Sequence, residues 1–72
     1  MPNKETAALL IKVGREALNV NKRLDRTKAV LADSNVHMSD SQRKLLVEQL
    51  DVLRHYSDVL KRRIDDLTFT TT

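Results

Sequence analysis

The sequence predicts an all-α protein: a long two-helix antiparallel hairpin that assembles with copies of itself into a homo-oligomeric helical bundle. Three observations predict it. Only one Gly and one Pro punctuate the 72 residues, so long uninterrupted helices are expected. Two segments carry apolar residues at alternating spacings of three and four, and one cluster of turn-favouring residues separates them. A chain of this length struggles to fold alone on one core, and without cysteine it has no disulfide to help, so association is the expected remedy. The reading is one domain, residues 1–72, with a helix over about 4–32, a loop at 33–39, a helix over about 40–67 and a frayed tail at 68–72.

The first helix is expected to start after Asn3, a good N-cap. Its seam is Leu10, Val13, Ala17, Val20, Leu24, Thr27 and Leu31, the heptad-like spacing of helices packed side by side. It stops near Ala32, where DSNVHMSDS follows. The second helix has a clear start: Ser39-Asp40-Ser41-Gln42 fits a capping box, and Asp40 suits the positive end of the helix dipole. Its seam is Leu46, Leu50, Leu53, Ser57, Leu60, Ile64 and Leu67. A second set, Leu45, Val52, Tyr56 and Val59, lies beside that seam. Together they cover roughly half the circumference of a helix with 3.6 residues per turn, more than one partner helix can cover. Further copies of the chain are the expected cover. Leu46, Gln49, Leu50, Leu53, Leu60 and Ile64 are the expected interface between copies. The TFTTT tail is β-branched and uncapped, which predicts fraying.

Composition narrows the function. The 13 Lys+Arg against 10 Asp+Glu leave a net charge of +3, which suits solubility or a small anionic ligand and argues against blanket binding of a nucleic-acid polymer. No apolar run approaches the length of a membrane span, and the short patch at residues 7–11 lacks the features of a signal peptide. A soluble cytoplasmic protein is expected. One Gly excludes a Gly-rich phosphate loop, and there is no nucleophile–base constellation, so no enzyme and no cofactor are expected. His55 between Asp51 and Asp58 reads as exposed charge pairing on a helix rather than as a metal site.

Gln49, Tyr56 and Arg63, each seven residues from the next, put polar groups on the apolar side of the second helix. A guanidinium at Arg63 needs a carboxylate, a carbonyl or a phosphate, and Glu16 of the first helix is an available partner. Tyr56 reads either as a core ring with its hydroxyl at the edge or as a surface on which a base stacks. Gln49 reads either as a base-edge contact or as a bond across a subunit interface.

Leu46 to Ile64 follow L-x-x-Q-L-x-x-L-x-x-Y-x-x-x-L-x-x-R-I after a loop and the Ser39-Asp40 start. Lys12 to Leu31, KVGREALNVNKRLDRTKAVL, add a basic residue with Val13, then Glu16, Val20, the pair Arg23-Leu24 and the pair Val30-Leu31. This pattern resembles the small phage proteins that act as anti-CBASS cyclic-oligonucleotide sponges, over roughly residues 12–67. The resemblance implies helical homo-oligomers, hexamers in known members, working in the host bacterial cytoplasm. It implies binding of cyclic di- or trinucleotides in pockets between subunits, without cleavage, which lowers the signal available to defence effectors. It makes Arg23 the first candidate for a phosphate contact and Arg63 the second, with Lys12, Arg26 and Tyr56 completing the expected ligand-binding set. The alternative from the residues is a structural or interaction oligomer that takes a partner's helix in a groove.

Overall fold

The computed structural model describes residues 4–69. It contains two helices and, among the described residues, no strand: α1 spans Lys4–Ala32 and α2 spans Asp40–Phe69. They run antiparallel, since α2 descends along α1 from Arg43 beside Leu31 to Tyr56 and Arg63 beside Glu16. The hairpin is a rod of 51 × 16 × 14 Å, the proportions of two helices side by side.

The start of α2 follows from Ser39. Its Oγ accepts the backbone N–H of Gln42 at 3.1 Å, which satisfies a first-turn donor that has no partner within the helix. The connection is closed by Asp33. Its Oδ1 accepts the Asn35 N–H at 2.9 Å and its carbonyl accepts the Val36 N–H at 3.2 Å, so a short carboxylate holds the turn. Arg43 reaches back from α2 to the Leu31 carbonyl at 3.4 Å, adding a donor at the C-terminal end of α1. The expected cap at Asn3 lies outside the described residues.

The expected fraying after residue 67 is corrected at Thr68 and Phe69, which continue α2. The Thr68 hydroxyl donates to the Ile64 carbonyl at 2.7 Å, so the β-branched side chain bonds within the helix instead of competing with it. Residues 70–72 lie outside the described residues.

The core is one layer thick. Val13, Val20 and Leu24 of α1 pack with Leu50, Leu53 and Leu60 of α2, and Ala17, Leu31, Ile64 and Leu67 close the layer at its edges. Leu60 is the most enclosed, only 1% exposed. Thr27 is buried in the same seam, and its hydroxyl donates to the Arg23 carbonyl at 2.8 Å, so no buried polar group is stranded there.

This packing covers, within one hairpin, most of the residues expected at an interface between copies. Leu50, Leu53 and Leu60 are covered by α1 of the same chain, Ile64 packs at the edge of that core, and Leu46 is half-buried. The apolar stripe left uncovered on α2 is its neighbour: Leu45, Val52 and Val59, seven residues apart, exposed by 54%, 67% and 36%. Gln49 is exposed beside it. The seam holds the hairpin itself together, and the flanking set on α2 stays exposed beside it.

Candidate functional site

Helical periodicity aligns three of the basic residues of α1. Lys12, Glu16, Asn19, Arg23 and Arg26 fall within about 80° of one another around the axis. All lie on one flank of the buried seam. On α2 the residues seven apart, Gln49, Tyr56 and Arg63, flank that helix's seam in the same way. The hairpin brings these two flanks together, because Glu16 meets both Tyr56 and Arg63. The other side of the seam carries a different contact: the Ser57 hydroxyl donates to Asn21 Oδ1 at 2.8 Å. The two contacts bracket the apolar layer and fix how the helices are rotated against each other.

At the Glu16 level an open groove of about 450 Å³ is lined by Leu9, Lys12, Val13, Arg15, Glu16, Asn19 and Arg63. Three cations face one carboxylate there. Glu16 divides its two oxygens. Oε1 accepts the Tyr56 hydroxyl, and Oε2 lies 3.9 Å from the Arg63 guanidinium, with both side chains about half exposed. A pair at that separation and exposure is worth roughly 0.2–1 kcal/mol. The Tyr56 hydroxyl titrates above its ordinary 10.0. Its bond to Glu16 is the main cause, partial desolvation and the Glu16 charge add to it, and Arg63 opposes.

The residues expected at a ligand site therefore split into two places. Lys12 and Arg63 line the groove, and Tyr56 is tied to it through Glu16. Arg23 and Arg26 belong to the same flank but sit further along; Arg23 is three turns from Lys12, about 16 Å. Arg23 is exposed and forms no ion pair among the described residues, while the Arg26 Nε donates to the Lys22 carbonyl at 3.4 Å. Tyr56 is not a core ring: it is 39% exposed. Arg63 is likewise exposed rather than enclosed.

Arg15 and Asn19 were not singled out by the sequence. Their only available signal was their place on the Lys12–Arg23 stripe, and that stripe becomes a groove wall only once α2 is docked. A second hollow of about 460 Å³ lies on one face of α2, lined by Asp40, Arg43, Lys44, Val47 and Glu48. Its charges are mixed and α1 contributes no side chain to it. His55 is exposed, and its acidic neighbours pair elsewhere, Asp51 with Arg54 and Asp58 with Arg62. Among the described residues no cluster of three or more His, Cys, Asp or Glu is placed to hold a metal ion. No helix among them is long and apolar enough to cross a membrane.

Fold and site together define a small helical hairpin with a cationic groove along one flank of its seam. The Sequestin family model matches residues 9–66, and the chain belongs to the Sequestin family. No curated protein and no solved structure matches it significantly.

Proposed function

We propose that this protein sequesters a small anionic nucleotide, of the cyclic di- or trinucleotide class, by binding without cleaving it. The observation that carries the reading is the charge arrangement on one flank of the hairpin. Lys12, Arg15 and Arg63 surround a single carboxylate, and Arg23 continues the stripe with no carboxylate partner among the described residues. Guanidinium groups match phosphate oxygens in geometry as well as charge. Tyr56 supplies a ring at the rim for a base. Membership in a family whose name denotes sequestration supports binding over turnover.

In this reading the protein acts as a homo-oligomer, and the open groove becomes a pocket when further copies cover the stripe of Leu45, Val52 and Val59. The resemblance to the anti-CBASS sponges implies the biological setting: a phage protein in the host cytoplasm that withholds an immune signal. Because nothing is consumed, each site removes one ligand, and the ligand is recovered intact when the protein is denatured.

Calorimetry with a panel of cyclic di- and trinucleotides tests the proposal. One of them binds, and chromatography of the heat-denatured complex returns it unchanged. Arg23→Ala weakens that binding by about ten- to a hundredfold, the loss expected for a hydrogen bond to a charged group, while sedimentation is unaltered. No heat from any member of the panel sinks the proposal, and a hydrolysed product turns it into an enzyme. The exposed apolar stripe on α2 favours a second reading, an interaction oligomer that seats a partner's amphipathic helix. That reading expects Val52 rather than Arg23 to control binding.

A further inference from the structure

We propose that Glu16 is a built-in substitute for a ligand phosphate, holding Arg63 and Tyr56 together until an incoming anion displaces it. The inference rests on the reading that the groove between Lys12 and Arg63 receives an anion. It adds a role for a residue that such a reading leaves unused, the one acid among the groove's cations.

Geometry separates a substitute from a scaffold. A carboxylate that fixes an arginine grips the guanidinium with both oxygens at hydrogen-bonding distance. Glu16 does not. One oxygen takes the Tyr56 hydroxyl, and the other stands 3.9 Å from Arg63. Both partners of that ion pair are about half exposed, so solvent competes for them already. Lys12, one turn before Glu16, and Arg15 beside it leave the groove with a positive excess after Glu16 is counted. A phosphate offers more charge and more acceptor oxygens to Arg63 than this carboxylate does. Once it arrives, Glu16 has lost Arg63 and faces a like charge. The same movement takes its Oε1 away from Tyr56. Anion capture at Arg63 and release of the Tyr56 ring are then one event, because one side chain holds both.

Tyr56 makes the event visible. It is the only tyrosine in a chain without tryptophan, so intrinsic emission reports this residue, and a carboxylate that accepts a phenol's hydrogen bond quenches that emission. Inorganic pyrophosphate is titrated into the full chain and into Glu16→Gln, with emission and heat both recorded. The variant keeps the shape and a carbonyl acceptor for Tyr56 but removes the charge. Wild-type emission rises as pyrophosphate binds. Glu16→Gln starts brighter and binds pyrophosphate more tightly, by up to about fivefold from the ion pair it no longer has to break.

Equal or weaker binding by Glu16→Gln overturns the proposal, because a carboxylate that positions Arg63 would be missed. So does wild-type binding with no change in emission, and so does the absence of pyrophosphate binding in both proteins. If Glu16→Gln fails to fold, the wild-type emission titration decides alone. The nucleotide panel separates this inference from the function it rests on. A silent panel with tighter pyrophosphate binding by the variant removes the nucleotide and keeps the role of Glu16. A nucleotide that binds but is held less tightly by Glu16→Gln does the reverse.

Discussion

Glu16, Tyr56 and Arg63 show how much of a site one residue can organise. The Arg63–Glu16 pair was legible in the sequence, because a guanidinium beside an apolar seam needs an acceptor and Glu16 is available on the facing helix. The bond from Tyr56 to Glu16 was not. Its position gave a ring near the seam, but the direction of the hydroxyl depends on how the two helices are rotated against each other. The bond has a consequence in pH. Tyr56 titrates above 10.0 in the folded chain, so its contribution to stability is fully present below the unfolded value. As pH rises past that value the unfolded state releases its proton first, the folded state retains its own, and stability falls until the folded group has titrated as well. Tyrosinate absorbance should therefore titrate higher in the wild type than in Glu16→Gln. Coincident curves would show that Glu16 is not the cause.

At the scale of the helix, the legible signals are side chains that bond their own backbone. Ser39 caps α2 through the Gln42 amide, and the Asp33 turn stops the chain from continuing α1. Thr68 and Phe69 continue α2 beyond the limit that β-branched composition predicts, because composition carries no trace of the bond from Thr68 back to Ile64. Gly14 offers a test inside α1. It is helical with no positive φ, and a Cβ added there meets nothing within 4 Å. Gly14→Ala should stabilise the helix by about 0.5–1 kcal/mol, by reducing the freedom of the unfolded chain without a clash in the folded one. In a domain this small, 1 kcal/mol corresponds to roughly 4–8 °C in the thermal midpoint, which circular dichroism resolves. A lower midpoint would mean that a group outside the single hairpin approaches Gly14 closely.

For the whole molecule the question is what the apolar residues outside the seam are for. Among the described residues six aliphatic side chains are buried, while ten large hydrophobic side chains are exposed, Val52 the most exposed of those along the flank of the α2 seam. Two helices have one mutual interface, so the single layer between them is all that one hairpin can close. The proposed assembly is expected to cover Leu45, Val52 and Val59. Val52→Asp touches nothing in the core, so helicity should be nearly unchanged, while sedimentation shifts from the oligomer to the single hairpin. A wild-type protein that already sediments as one hairpin would remove the assembly from the proposal.

Two helices, their approximate limits, the turn between them and the apolar stripes they carry were determined by the sequence alone. Each depends on spacing along one segment or on a side chain bonding its own backbone, and such information is local. The division of the wide apolar face of α2 was decided only by tertiary structure. Both sets of residues are apolar, and nothing along the chain says that Leu50, Leu53 and Leu60 turn to α1 while Leu45, Val52 and Val59 are left outside. The groove was decided at the same level. Lys12 and Arg63 come from opposite ends of the sequence, and the antiparallel fold sets them around Glu16. A stripe on one helix is written in a periodicity of 3.6, whereas the angle at which two stripes meet is set by how the side chains of both helices interlock.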